Sequence, residues 1–193
     1  MKYFAAFLLI LLCKTTFSQD LVENYYDFGG SITEGRESDA FVLADKILPL
    51  TSALSPKRQA IFYYQLAGLH EIRKNTEKAI DFYERSLKLE PNYYVPHMAL
   101  GYLYVSKVNI PVIKMNAEKN NAILREKYVT EYKSLLRKAL PHFEKAMACD
   151  PNDQVLASIK NEYNSLKDPA SFNSLDSRLN ELKKECVTVL VED

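Results

Sequence analysis

The sequence predicts an all-α fold, a short solenoid of antiparallel helix pairs. Apolar side chains recur at the three- and four-residue spacing of one helix face in two consecutive runs: Phe62, Leu66, Leu69 and Ile72, then Ile80, Tyr83 and Leu87. The pattern also repeats, because Ala44 precedes Ala79 by 35 residues and Pro56 precedes Pro91 by the same 35. Repetition at a period of roughly 20 to 50 residues indicates stacked supersecondary units.

The run from residue 60 to residue 91 resembles a tetratricopeptide repeat (TPR), a helix-turn-helix unit of about 34 residues. The characteristic aromatic, small and proline positions are held by Tyr63, Leu66, Ala67, His70, Ala79, Tyr83, Ser86 and Pro91. A second unit has the same positions in register at Tyr94, Leu100, Gly101, Tyr104, Ala139, Phe143, Ala146 and Pro151. The resemblance covers about residues 38–166 and implies a TPR-like α-solenoid in which small residues let helices approach closely.

We expect an earlier, weaker unit before these two. Its second helix is visible at residues 39–53, and Ser55 followed by Pro56 is a typical start for the next helix. We predict that residues 19–37 are poorly regular, with at most a short helix at residues 20–28, because Gly29 and Gly30 break it and each glycine costs about 1 kcal/mol in a helix interior.

The second unit is interrupted. Ala79 and Ala139 lie 60 residues apart where a regular repeat needs about 34, so an insert occupies about residues 105–138. Its basic residues outnumber its acidic ones, eight against three, for a local charge of +5: Lys107, Lys114, Lys119, Arg125, Lys127, Lys133, Arg137 and Lys138 against Glu118, Glu126 and Glu131. Two interpretations stay open, a basic arm for an anionic partner or membrane headgroups and a solvated helix whose charges keep it soluble.

The chain after Pro151 is expected to cover the end of the array. Residues 154–166 predict a capping helix with Asp153 as its N-cap. The segment 169–193 contains a second helix with one apolar stripe, Phe172, Leu175, Leu179 and Leu182. That stripe either docks on the last repeat or contacts another molecule.

Residues 1–18 have the pattern of a secretory signal peptide: Lys2, an apolar run, and small residues before a cleavage point near Ser18 and Gln19. A membrane anchor is the alternative, but Lys14 interrupts the run well before the roughly 20 residues that a spanning helix needs. We therefore expect a secreted or periplasmic protein. Its domains are predicted as the signal peptide 1–18, the irregular segment 19–37, the repeat domain 38–168 and the C-terminal helix and tail 169–193.

Composition narrows the function classes. Without residues 1–18 the chain has 23 basic and 25 acidic residues, a net charge of −2, which argues against broad nucleic-acid binding. Cys149 and Cys186 remain, and in an oxidising compartment they either form a disulfide or stay two thiols. The scarce histidines and the cysteine spacing predict no metal site and no cofactor.

The TPR resemblance implies a concave groove lined by the first helix of each pair. Here the groove positions expected to bind a partner are Ile61, Tyr64, Glu71, Val95, Met98 and Tyr102. The family's carboxylate-clamp members have Lys and Asn at positions that Tyr64, Gly68 and Met98 occupy here, so an extended or helical apolar segment suits this groove better. The alternative is that the C-terminal helix fills the groove.

We therefore predict an exported, non-catalytic protein-protein interaction scaffold that binds a peptide or protein segment, with Tyr64, Met98 and Tyr102 as its anchors. The alternative from a different class is an envelope-associated protein that docks to a membrane or anionic surface through the basic insert, without spanning the bilayer. A third hypothesis, an enzyme that uses His70 or His97, is disfavoured because His70 occupies a position that the family fills with a packing tyrosine. No catalytic residue is assigned.

Overall fold

The computed structural model describes residues 19–190. The secretory signal expected at residues 1–18 lies outside them. The described chain is helical: α1 (residues 19–33), α2 (Glu37–Ile47), α3 (Pro56–Ile72), α4 (Thr76–Leu89), α5 (Tyr94–Ser106), α6 (Asn109–Ala117), α7 (Ala122–Cys149), α8 (Asp153–Leu166), α9 (Pro169–Asn173) and α10 (Leu175–Leu182), with 3-10 turns at Leu48–Ala53 and Lys183–Glu185. This all-α, TPR-like solenoid confirms the predicted fold class. In the part of the chain that the structure describes, no helix combines the length and the apolar character that crossing a bilayer requires.

The described residues form two compact units, 19–82 and 83–190, and the boundary falls within α4. In the first unit, helix α1 corrects the expectation of an irregular segment. It continues through Gly29 and Gly30, and it buries Leu21, Tyr25 and Phe28. The Phe28 ring lies 5.0 Å from the ring of Phe62 in α3. Burying a large side chain stabilises by about 1.5 to 3 kcal/mol, so packing of this face outweighs the intrinsic cost of the two glycines.

The prediction of one helix at residues 39–53 is also wrong in its extent. Helix α2 ends at Ile47, and a 3-10 turn follows from Leu48 to Ala53. Pro49 is the reason, because it has no N–H for the α-helical hydrogen bond and its ring clashes with the carbonyl group four residues earlier. The Thr51 hydroxyl donates to the Leu48 carbonyl oxygen at 2.7 Å and holds the turn.

The α3–α4 hairpin has the predicted start. Helix α3 begins at Pro56, and the Ser55 hydroxyl accepts a hydrogen bond from the Arg58 amide at 3.3 Å. Lys74 adopts a left-handed conformation, with φ of 58°, where α3 turns into α4. Ala60, Ala67 and Ala79 are fully buried, which is the role that the repeat assigns to its small residues.

In the second unit, α5 packs along α7. A Cβ atom built on Gly101 would approach the Phe143 ring to 2.6 Å, so only glycine allows this closeness. The expected insert is helical: α6 packs against the first part of α7, and α7 runs for 28 residues with Pro141 inside it. The insert therefore forms a helical arm, defined here as residues 109–138.

The C-terminal segment packs on its own molecule, which is one of the two interpretations that the sequence left open. It forms the short helices α9 and α10 instead of one helix, and α10 packs on α7. Cys149 and Cys186 form a disulfide. After it, Val187 makes a parallel bridge with Tyr93. The N-cap of α8 is Asn152 and not the expected Asp153, because the Asn152 Oδ1 accepts from the amides of Gln154 and Val155 at 2.8 and 3.2 Å.

Candidate partner-binding surface

The predicted groove positions of the first unit lie on α3. Ile61 and Tyr64 are half-buried and Glu71 is exposed. Ile61 lines a hollow of about 300 Å³ together with Tyr25 and Gly30 of α1. Helix α1, which the sequence did not predict in full, therefore shapes the surface beside Ile61.

The positions of the second unit lie on α5. Val95, Met98 and Tyr102 are spaced by three and four residues, so they form one stripe, and all three are half-buried. Leu100 and Leu103, on the other side of the helix, are buried. The stripe is apolar and remains accessible, which is the arrangement that a binding face needs.

The Tyr102 side chain also contacts the core. Its ring meets the Phe143 ring edge-on, with 5.0 Å between the ring centroids. Because Phe143 is fully buried, this contact fixes the Tyr102 ring in one orientation. A ring held in place loses little conformational entropy when a partner binds.

The C-terminal helix does not lie along α5. It packs on α7 through Arg178, whose Nε and Nη2 donate to the two Glu144 carboxylate oxygens at 2.9 and 2.7 Å. Arg178 Nη2 also donates to the Tyr163 hydroxyl oxygen at 2.8 Å, and Tyr163 in turn hydrogen-bonds Glu144. The hydrogen bond to Glu144 raises the pKa of Arg178, and burial is the first cause that raises the pKa of Tyr163. The C-terminal helix therefore does not cover α5, and the alternative that it fills the groove is wrong at this helix.

Lys145 joins the start of α5 to the tail. Its side chain is buried, and the Nζ donates to Asn92 Oδ1 at 2.9 Å, to the Leu182 carbonyl oxygen at 3.1 Å and to the Glu185 carbonyl oxygen at 3.3 Å. Burial lowers the pKa of Lys145. Three acceptors satisfy its three donors, so this lysine has a structural role.

His97 and His142 form a pair that the sequence did not reveal. Their Nδ1 atoms lie 2.9 Å apart, and the His97 Nε2 lies 2.9 Å from the Pro91 carbonyl oxygen. The carbonyl oxygen accepts only, so His97 donates from Nε2 and its Nδ1 accepts from the Nδ1–H of His142. Burial, followed by the charge of His97, lowers the pKa of His142 to about 4, and burial also lowers the pKa of His97. Both rings are therefore neutral near pH 7.

His70 packs between two aromatic rings, as expected for a histidine at the repeat's tyrosine position. It stacks on Phe82 with 5.4 Å between centroids and meets Phe41 edge-on at 5.2 Å. It borders a hollow of about 420 Å³ that Arg73 and Lys78 also line. Burial is the main cause that lowers the pKa of His70.

Glu162 is the unusual acidic residue of α8. Its side chain is buried, and neither carboxyl oxygen has a hydrogen-bond partner. Burial raises its pKa to about 8, so the carboxyl is protonated near pH 7. A neutral carboxyl on the buried face of α8 is compatible with apolar neighbours, whereas an ionised one would be strongly disfavoured.

Residues 19–190 contain no group of three or more His, Cys, Asp or Glu side chains that could hold a metal ion.

The sequence did not predict the roles of Glu144, Lys145 and the histidine pair. One signal was present, since Glu144 and Lys145 stand between Phe143 and Ala146 on a helix whose small and aromatic positions predict burial. Charged residues at positions where the pattern predicts burial indicate that other elements pack on more than one side of the helix.

Comparison with known proteins agrees with this architecture. Residues 60–93 match the sequence model of the tetratricopeptide repeat family, a stretch that contains α3 from its second turn onward, all of α4 and the turn leading to α5. No curated protein matches the chain. A tetratricopeptide repeat generally serves as a non-catalytic scaffold for protein-protein interaction, and the chain carries such a repeat together with an all-α fold.

Proposed function

We propose that this chain is an exported, non-catalytic scaffold that binds extended or helical segments of a partner protein through two accessible apolar faces, one on α3 in the first unit and one on α5 in the second. One observation carries the proposal. Val95, Met98 and Tyr102 form an apolar stripe on α5 that remains half-buried, while α10 packs on α7 instead. On α3, Ile61 and Tyr64 are half-buried at the corresponding positions of the matched repeat.

The chemistry of these faces favours an apolar segment. Neither face presents the Lys and Asn pattern that holds a terminal carboxylate, since Tyr64, Gly68 and Met98 stand at those positions. A tyrosine offers a large contact area with few rotatable bonds, which favours anchoring at modest entropic cost.

The repeat organisation supports the same proposal. We take α5 and α7 as one TPR-like unit interrupted by α6, because Gly101 and Phe143 meet where the repeat places a small and an aromatic residue. A repeat array needs about three units and a cap to bury its apolar faces. Docking of α10 on α7 covers the end of the array and leaves the α5 stripe accessible.

Export is the second part of the proposal. The sequence pattern of residues 1–18 supports it, and the disulfide between Cys149 and Cys186 is of a kind that persists in oxidising compartments. Intact mass of the protein recovered from the native host's periplasm or medium tests it. A chain beginning at Gln19 is expected, and recovery of the uncleaved chain from the cytoplasm would contradict export.

Photo-crosslinking tests the binding face. A photoreactive phenylalanine analogue at Met98 is expected to capture a defined partner, and the same analogue at Val42, an exposed residue of α2, serves as the matched control. The captured complex should resist high salt and be lost with Tyr102→Ala and with Tyr64→Ala, each checked for an unchanged thermal unfolding transition. Equal capture from both positions, or capture that neither tyrosine substitution reduces, would refute the proposed binding face.

A further inference from the structure

The helical arm carries exposed apolar side chains on α6 and on the first turn of α7. Ile110, Ile113 and Ile123 are 52%, 68% and 83% exposed. Ile110 and Ile113 lie three residues apart and share one face of α6, and Ile123 follows the turn into α7. Three largely exposed isoleucines within one short hairpin indicate a surface that is covered in use.

The same helical arm carries an excess of basic side chains, of which Lys114, Lys119, Arg125 and Lys127 lie nearest to these isoleucines in the sequence, whereas Arg137 acts on Asp168 at the far end of the arm. Six basic residues of the arm are exposed, against the single exposed acidic residue Glu126: Lys114, Lys119, Arg125, Lys127, Arg137 and Lys138. None of the six makes an ion pair with another residue of the described chain, although Lys114 lies over the Tyr128 ring and Lys138 over the Tyr104 ring. The excess positive charge of the arm therefore remains available to an anionic surface.

From the coincidence of exposed isoleucines and uncompensated cations, we infer that the arm docks to the surface of an anionic lipid bilayer. In this arrangement, Ile113 and Ile123 enter the headgroup boundary while the basic side chains neutralise lipid phosphates. Segments that lie in a membrane interface combine apolar side chains, which enter the interface, with basic side chains, which meet the anionic headgroups. Each basic side chain near an anionic bilayer strengthens attachment by about fivefold.

The alternatives account for only part of the arm. Nucleic acid would use the cations but has no place for three exposed isoleucines, because its affinity for proteins comes mainly from phosphate contacts. A solvated helix requires neither the isoleucines nor an unbalanced charge. A bilayer accommodates both, and it does so without requiring that any helix span it.

Vesicle sedimentation tests the inference with the mature full-length chain and its disulfide intact. The vesicles are phosphatidylcholine alone, or phosphatidylcholine with about one-third phosphatidylglycerol, which gives the negative surface potential. Binding is expected with the anionic vesicles only, and it should weaken at least tenfold between about 0.01 M and about 1 M salt, where the Debye length falls from about 30 Å to about 3 Å. Absence of binding to anionic vesicles at low salt would overturn the inference.

Two double variants separate the contributions of charge and apolar side chains. Lys119→Glu/Arg125→Glu and Ile113→Ser/Ile123→Ser should each weaken sedimentation by at least about tenfold, because the four side chains are exposed and their replacement leaves packing intact. The matched controls are Lys46→Glu/Lys160→Glu and Val42→Ser/Ile72→Ser, which alter equally exposed residues elsewhere and should bind as the unmodified chain does. Loss in the controls as well, or no loss in either arm variant, would overturn the proposal.

Insertion has its own readout, because the chain contains no tryptophan. Ile123→Trp should give an emission that shifts to shorter wavelength on addition of anionic vesicles, while Ile72→Trp should not shift. Binding to soluble polyglutamate as tight as to vesicles, with no shift at position 123, would assign the arm to an acidic protein and overturn the membrane inference.

Discussion

Gly101 of α5 lies against the ring of Phe143 in α7 so closely that an added Cβ atom would be 2.6 Å from two of the ring carbons. Phe143 is fully buried and cannot move aside. We expect Gly101→Ala to lower the free energy of unfolding by about 1 to 2 kcal/mol, since overpacking costs about 1 to 3 kcal/mol and the better helix propensity of alanine returns up to about 1. Urea unfolding followed by circular dichroism measures the change.

Gly30 provides the control for that substitution. It also lies inside a helix, α1, but nothing within 4 Å would meet its Cβ atom. Gly30→Ala should therefore raise the free energy of unfolding by about 0.5 to 1 kcal/mol. The same sign for both variants would mean that closeness to Phe143 does not decide the effect at Gly101.

The disulfide between Cys149 and Cys186 should stabilise the tail and the second unit. It closes a loop across a sequence separation of 37, for which the chain-entropy relation gives about 3 to 4 kcal/mol. Cys149→Ser/Cys186→Ser is expected to lower the free energy of unfolding by up to that amount. Hydrogen exchange should also increase at the Val187 amide, which donates to the Asn92 carbonyl oxygen at 2.9 Å. Unchanged exchange at Val187 would show that the tail stays in place without the disulfide.

The buried carboxyl of Glu162 should make stability depend on pH. Its folded pKa is raised to about 8 from an ordinary value of 4.5, so between these values the folded state keeps a proton that the unfolded state has released. Stability therefore falls as pH rises through this window, by about 1.4 kcal/mol per pH unit well inside it. Between pH 6.5 and pH 8, the expected loss is about 1.5 to 2 kcal/mol.

Glu162→Gln should remove that dependence. The window above pH 6.5 is chosen because His142 acts in the opposite sense below it: its depressed pKa makes stability fall as pH drops from 6.5 toward 4. Urea unfolding at pH 6.5 and at pH 8 for both proteins gives the comparison. An equal loss in the two proteins would assign the pH dependence to other groups.

The ion pair between Arg178 and Glu144 should hold α10 on α7. The Glu144 side chain is 8% exposed and that of Arg178 35%, so removing the arginine leaves a buried carboxylate with only the Tyr163 hydroxyl. We expect Arg178→Ala to lower the free energy of unfolding by about 3 kcal/mol. This value is the lower end of the range for breaking a buried ion pair, because the arginine is partly solvated. Urea unfolding measures it.

Glu144→Gln tests whether the buried charge is the cause. It removes the carboxylate, and Arg178 can turn its guanidinium to water, so its cost should be smaller than that of Arg178→Ala. The double variant should lower the free energy of unfolding only slightly more than Arg178→Ala alone, since the two residues act as one unit. Additive costs would contradict the pairing.

The amino-acid sequence alone predicted the fold class, the repeat at residues 60–91 and the insert. It did so because helical spacing, small residues at crossings and Ser55 before Pro56 are local signals that agree with one another. Pro49 ended α2 at Ile47, which is a local effect. The other features needed tertiary contacts: α1 continues through Gly29 and Gly30, Arg178 binds Glu144, and Lys145 binds Asn92. Each of these depends on burial against residues distant in the chain, whose free energy exceeds the local preferences that the sequence pattern records.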